Sequence, residues 1–205
     1  MLIELLFVNP ILYLMVAVAV LLGFSIHEYF HAQAAYSLGD PTAKNAGRLT
    51  VNPLAHFDPF GTLLIFIIGF GWGKPVPFNP YNLRNQKWGP ALVGLAGPSS
   101  NFLIALMVGF LLRFLELSNP ALIAFFSIFI WINLTLGVFN LLPIPPLDGS
   151  HIFLTVLPSS FEKLKLILQT NPFLIIIALL FMFYIGFPYI CRPLFAVITG
   201  ASSPF

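Results

Sequence analysis

Four long stretches of this chain contain no charged residue, and their length limits what the chain can fold into. A helix that crosses a bilayer needs about 20 consecutive apolar residues. Runs of 22, 22, 31 and 26 residues without Asp, Glu, Lys or Arg cover Leu5–Ile26, Ala91–Leu112, Leu117–Leu147 and Leu166–Cys191. These runs predict an integral membrane protein with about four transmembrane helices.

Composition excludes the soluble alternatives. Hydrophobic residues make up 59% of the chain and charged residues 8%, whereas a soluble domain is about 25% charged. The net charge of +2 is too small to indicate nucleic acid, and the single cysteine, Cys191, excludes an internal disulfide. We expect one membrane-embedded domain over residues 1–205, with spans at about 5–38, 90–114, 119–143 and 171–195.

A fifth apolar run, Pro59–Gly73, has only 15 residues, and we interpret it as a re-entrant segment rather than a crossing. The proline-rich stretch that follows, residues 73–83, suggests a short edge-like β-hairpin, with a plain proline-rich loop as the alternative. The expected fold class is therefore an all-α membrane protein with a re-entrant hydrophobic segment and a short β-hairpin, both within about residues 59–88.

Basic residues predict the orientation of the chain, because they concentrate in cytoplasmic loops. Seven of the nine fall between spans one and two or between spans three and four; only Arg113 and Arg192 fall on the other side. The N-terminus is therefore expected outside, and residues 37–88 and 149–171 on the cytosolic side. Residues 159–170 resemble an amphipathic surface helix, although an ordinary connecting helix fits equally well.

Ionisable residues inside a membrane are costly, and they mark candidate functional sites. The first span runs into His27-Glu28-Tyr29-Phe30-His31, which matches the metal-binding pattern HExxH. Residues four apart share a helix face, so both imidazoles can reach one tetrahedral Zn²⁺, and Glu28 flanks them as a base for a metal-bound water.

A catalytic zinc usually has three protein ligands, and Asp148 is the strongest candidate for the third. It follows three prolines in four residues, which must break the third span and leave extended backbone. Such backbone is tolerated at membrane depth where it lines a cavity. A helix cap is the alternative role for Asp148. His56 and His151 are weaker candidates, as hydrogen-bond partners of the ligands or as a proton route.

Two motifs together resemble the site-2 protease family of intramembrane zinc metalloproteases. They are HEYFH at 27–31 and NLLPIPPLDG at 140–149, and Gly97 to Asn101 resembles a further segment of that family. The resemblance implies that His27, His31 and Asp148 bind one Zn²⁺ and that Glu28 is the catalytic acid/base. The sequence departs from other members in that only residues 117–120 separate spans two and three and little chain follows span four, so we expect a minimal form without PDZ or CBS domains.

We therefore expect a protease of a prokaryotic cell membrane that cleaves transmembrane-helix substrates, with its active site towards the cytosol. No nucleic acid partner is expected, and a further regulatory partner is possible. Asn101 and Asn140 could contact substrate or the developing oxyanion, or serve in helix packing. A zinc transporter or a catalytically silent scaffold is the alternative function.

Overall fold

A computed structural model describes residues 2–69, 71–115, 117–171 and 173–201. The elements in these residues are helical. In chain order they are α1 Leu2–Val8, α2 Pro10–Ser37, α3 Thr42–Asn45, α4 Pro59–Ile68, α5 Gly89–Phe114, α6 Pro120–Asn140, α7 Gly149–Val156, α8 Glu162–Thr170, α9 Leu174–Phe181, a π-helical stretch Met182–Cys191, and α10 Arg192–Thr199, with short 3₁₀ turns at Pro53–Ala55, Pro80–Asn82 and Ser159–Phe161.

Four of the helical stretches are long and apolar enough to cross a membrane: α2, α5, α6 and the continuous stretch Leu174–Thr199. The expected number of spans is confirmed. The first span begins at Pro10 rather than Leu5, because the Asn9 side chain accepts a hydrogen bond from Leu12 N and starts a new helix. It ends where expected, since Gly39 has a left-handed φ of 108° that favours glycine.

Helices α2, α5 and α6 pack against one another and form the centre of the bundle. Ala19 on α2 packs with Ile128 and Phe129 on α6. On the opposite side of α6, residues of α5, α6 and α10 form a second buried cluster: Ala105, Ile130, Leu134, Phe195 and Ile198. The outer faces of these helices carry exposed apolar side chains, as lipid-facing helices do.

The short apolar run forms α4, a helix of 10 residues that spans only about 15 Å, half of a hydrocarbon core. The chain after α4 returns along it: a Cβ on Gly61 would collide with the backbone of Trp72, and the Phe60 and Trp72 rings lie 5.8 Å apart. Lys74 N donates to His56 O at 2.8 Å. The chain that follows α4 therefore comes back beside the start of this helix.

The prediction of a β-hairpin is wrong for the residues described. Residues 74–79, which we call the strap, belong to no helix or strand, and prolines at 75 and 77 favour an extended backbone in the residues before them. Pro75 and Pro77 lack the N–H groups that a ladder needs. The N–H groups of Lys74, Val76 and Asn79 instead donate to His56 O, Glu28 Oε2 and Asp40 Oδ2. The strap is therefore held by a loop and by side chains, not by a partner strand.

The fold predicts that both ends of the α4 segment lie on one side of the membrane. With Cys191 replaced by serine, single cysteines at the exposed positions Leu54, Lys74 and Ser118 would be treated with a membrane-impermeant maleimide in sealed vesicles of each orientation. Positions 54 and 74 should label from the same side, and position 118 from the other. Labelling of 54 and 74 from opposite sides would mean that α4 crosses.

Candidate metal centre

Helix α2 brings the two histidines of the HExxH motif together on its buried face. His27 and His31 are 3% and 6% exposed, and their Nε2 atoms lie 2.9 Å apart. Asp148 Oδ2 lies 3.0 Å from the first of these nitrogens and 3.2 Å from the second. The three residues expected to bind a metal therefore present one ligand atom each to a common point.

Helix α5 fixes the orientation of both imidazole rings. Its residues Val93, Gly97 and Asn101 are spaced four apart and face α2. His31 Nδ1 lies 2.7 Å from Val93 O, and His27 Nδ1 lies 2.6 Å from Asn101 Oδ1. Between these two contacts a Cβ on Gly97 would lie 2.6 Å from His27 Nε2 and would collide with His31. Glycine at position 97 is thus what allows α5 to approach the histidines.

The hydrogen-bond partners determine which ring nitrogens carry protons. Val93 O is a carbonyl and can only accept, so His31 Nδ1 is the donor. The proton position on His27 follows from the side-chain amides of Asn133 and Asn101. Phe129 O can only accept, so Asn133 Nδ2 donates to it at 2.8 Å. Asn133 Oδ1 then accepts from Asn101 Nδ2 at 2.9 Å. Asn101 Oδ1 must therefore accept from His27 Nδ1. Both Nε2 atoms are left as bare acceptors.

This arrangement fits a divalent cation. Asp148 Oδ2 is buried and makes no hydrogen bond within the described part of the chain. Three acceptor atoms that face one another repel unless a cation lies between them. Tetrahedral zinc, with bonds of about 2.0–2.1 Å, sets its ligand atoms about 3.3 Å apart, close to the separations of 2.9, 3.0 and 3.2 Å seen here.

The broken end of the third span positions Asp148. Helix α6 ends at Asn140, and residues 141–148 form a series of turns. Asp148 precedes α7, yet its side chain caps no N–H of that helix, so the alternative role as a helix cap does not describe it. Its carboxylate turns towards α2 instead. Gly94 on α5 makes room for this loop, since a Cβ there would lie 2.9 Å from Asp148 O.

Glu28 lies beside the histidines and is 8% exposed. Its Oε2 accepts a hydrogen bond of 3.2 Å from Val76 N in the strap. It offers no ligand atom to the convergent group of His27, His31 and Asp148. Glu28 therefore lies next to the convergent ligand residues in the chain without being one of them.

The remaining candidates His56, His151 and Asn140 make other contacts. His56 is fully buried, and its Nε2 lies 2.7 Å from Thr50 O. His151 packs against Phe78 of the strap with ring centroids 5.7 Å apart. Asn140 Nδ2 donates to Leu136 O within its own helix at 3.0 Å. Neither histidine belongs to the group of convergent ligand atoms of His27, His31 and Asp148.

No role was expected for Asn133, although an amide in the middle of a charge-free run indicates a possible functional or packing role. It is fully buried and sets the direction of the Asn101 amide. The hydrogen bond from His31 Nδ1 to Val93 O could not be predicted from the sequence, because every residue has a backbone carbonyl.

Comparison with known proteins agrees with this geometry. The model of Peptidase family M50 matches residues 116–184. YwhC, a provisionally named zinc metalloprotease of Bacillus subtilis, is 44% identical over 149 residues, which cover 69% of this chain and 68% of YwhC. Rip2 of Mycolicibacterium smegmatis, also provisionally named a zinc metalloprotease, is 31% identical over 154 residues, 69% of this chain and 58% of Rip2.

A zinc metalloprotease of Methanocaldococcus jannaschii, MJ0392, is 30% identical over 79 residues, 38% of this chain and 23% of that protein. No solved structure matches the chain significantly. The family model matches residues 116–184, whereas the similarity to YwhC covers more than two thirds of both chains. The chain therefore belongs to Peptidase family M50, the site-2 protease family, and is a zinc metalloprotease.

Proposed function

We propose that the enzyme hydrolyses peptide bonds in or near the transmembrane segments of membrane-protein substrates. The observation that carries this proposal is where the ligand atoms of His27, His31 and Asp148 converge: against α2 and α5, two helices long and apolar enough to cross a bilayer. A peptide bond that reaches these atoms must come from a segment at or close to membrane depth.

In this proposal His27 Nε2, His31 Nε2 and Asp148 Oδ2 would hold one zinc ion, as the three protein ligands that a catalytic zinc usually has. Bound zinc would supply Lewis acidity and lower the pKa of a coordinated water to about 7. The Asn101 and Val93 contacts keep both rings in the tautomer that offers Nε2. Such contacts to metal-binding histidines support metal affinity.

Glu28 is the residue that moves the proton. Its Oε2 is engaged by Val76 N–H, so Oε1 takes the proton of the attacking water and later delivers it to the leaving nitrogen. The water adds its oxygen to the carbonyl carbon as the C–N bond breaks, and its two protons end on the new amine and the new carboxyl group. Burial at 8% exposure keeps Glu28 away from bulk solvent.

Asn101 and Asn140 have different roles in this proposal. For Asn101 we propose a positioning role, because its side chain is fully buried and both of its polar atoms are bonded inside the bundle. A contact with substrate or with the oxyanion stays a prediction for Asn140, which is half-buried at the end of α6. Its amide currently donates to Leu136 O.

The proposal also includes an orientation. The seven basic residues on the strap side of the bundle, against two on the other side, favour a cytosolic location for the strap and the metal centre and an outside N-terminus. The return of the chain from Trp72 to Gly61 supports α4 as a re-entrant segment that enters from the cytosolic side. Lipid and transmembrane substrates are then the partners of the exposed apolar surface.

Replacing Glu28 and replacing Asp148 should separate chemistry from metal binding. Glu28→Gln removes the proton acceptor but no ligand, so the purified protein should keep about one zinc per chain and lose cleavage of a transmembrane-helix substrate. Asp148→Asn removes an anionic ligand and should weaken zinc binding by more than about 100-fold. Zinc content and cleavage are measured on the same samples, with a chelator added to the wild type.

The two variants control for each other, since each replaces a carboxylate by the amide of the same shape. Cleavage by Glu28→Gln at the wild-type rate would contradict the role of Glu28. Zinc binding by the wild type without cleavage of any transmembrane substrate would contradict the proposed substrate class and favour the transporter.

The hydrogen-bond chain to His27 should be visible in zinc affinity. Asn101→Ala removes the acceptor that orients His27 Nδ1–H and should weaken zinc binding by about 10- to 100-fold. Asn140→Ala is the matched control, because its amide bonds only to Leu136 O and should leave the zinc Kd unchanged. The Kd is obtained by competition with a chromogenic chelator. Equal affinities in both variants would contradict the positioning role of Asn101.

A further inference from the structure

Two buried charged residues outside the metal centre hold the two ends of the strap. Asp40 is fully buried and Arg48 is 4% exposed. Both lie in the loop that follows α2, the helix that carries His27, Glu28 and His31. They form no ion pair with each other or with any other described residue. The chemistry proposed above uses neither of them, so their burial requires another explanation.

Asp40 binds the C-terminal end of the strap. Its Oδ2 accepts from Asn79 N at 2.6 Å, and its Oδ1 accepts from Asn82 Nδ2 at 2.9 Å and from Thr42. Burial raises the pKa of this carboxyl group, but the hydrogen bonds from Thr42, Asn82 and Asn79 outweigh burial and lower the pKa below its ordinary value. Asp40 is thus an ionised carboxylate whose two oxygens accept hydrogen bonds from the strap, from Asn82 and from its own loop.

Arg48 binds the N-terminal end. Its Nη2 donates to Lys74 O and lies 3.4 Å from His56 Nδ1. Burial lowers the pKa of His56, in agreement with a neutral ring whose Nε2–H donates to Thr50 O and whose Nδ1 accepts from Arg48. His56 O in turn accepts from Lys74 N. Both polar backbone groups of Lys74 are therefore fixed by this loop.

Between these two anchors lies Val76, whose N–H donates to Glu28 Oε2. An extended segment without a partner strand has no ladder to fix its register, and the two prolines remove other donors. The position of the Val76 N–H relative to Glu28 therefore depends on what holds Lys74 and Asn79. Both anchors follow soon after the end of α2 in the chain. They therefore fix the position of the strap relative to the helix that carries Glu28.

We propose that Asp40 and Arg48 are positioning residues that hold the strap in register with α2, so that the Val76 N–H orients the Glu28 carboxylate for catalysis. This inference rests on the proposed function of Glu28. Asp40 and Arg48 make no hydrogen bond to the ligand atoms or to Glu28, and their removal should disturb the strap while the metal centre remains.

The test uses the full-length, zinc-loaded protein with the substitutions Asp40→Asn and Arg48→Gln. Their matched controls are Asp58→Asn, where asparagine caps α4 as well as aspartate, and Lys44→Gln, whose side chain contacts Tyr36 and not the strap. A nitroxide on Lys74→Cys, with Cys191 replaced by serine, reports strap mobility by electron paramagnetic resonance. Zinc content and kcat/KM are measured on the same preparations without the label.

Both anchor variants should keep their zinc, show a more mobile label, and lose about 10- to 100-fold in kcat/KM, the size of effect expected from a misplacement of about 1 Å. The controls should match the wild type in all three. Loss of zinc in the anchor variants, an unchanged label, or a mobile label with wild-type cleavage would each overturn the proposal. A wild type without activity would instead contradict the proposed function.

A second pair of variants keeps the test valid if the anchor variants do not fold. Val76→Pro deletes the N–H that Glu28 accepts and fits an extended segment that already has proline on both sides. Val76→Ala removes the same side chain and keeps the N–H. Cleavage should fall by about 10-fold or more in the proline variant relative to the alanine variant, at equal zinc content. Equal cleavage in the two would show that the strap hydrogen bond plays no part.

Discussion

The close approach of α5 to α2 at Gly97 is the contact on which the rest of the site depends. It brings Val93 O and Asn101 within hydrogen-bond distance of two imidazoles that would otherwise be unsatisfied in an apolar bundle. Buried polar groups without partners are costly, so a polar centre survives among lipid-facing helices only where each group is paired. Here the pairing leaves three acceptor atoms unpaired at one point, and a cation satisfies all three.

A second polar region lies where the chain leaves α2. Asp40, Arg48 and His56 are buried there, although the loop contains little regular structure. Their partners include backbone groups at both ends of the strap, at Lys74 and at Asn79. The loop thus replaces the neighbouring strand that a hairpin would have supplied. The two polar regions meet at Glu28, which lies on the metal-binding helix and accepts its hydrogen bond from the strap.

The sequence predicted local features well and long-range ones unevenly. Charge-free runs predicted the four long helices because helix length in a membrane follows from bilayer thickness. The spacing of His27 and His31 predicted a shared face because helix geometry is local. The hairpin was wrong because strand pairing requires a partner, and proline positions alone do not reveal one. The meeting of Asp148 with the histidines was expected from motif order and family resemblance rather than from periodicity.

The sequence by itself determined that this protein belongs in a membrane and that a metal-binding helix lies within it, since composition and i, i+4 spacing act over a few turns of chain. Tertiary structure decided which groups complete the site. The tautomer of His27 depends on a chain of amides from α6 through α5, and the position of the strap depends on two residues of a distant loop. Such contacts arise from packing between segments far apart in sequence, where backbone carbonyls and N–H groups act regardless of residue identity.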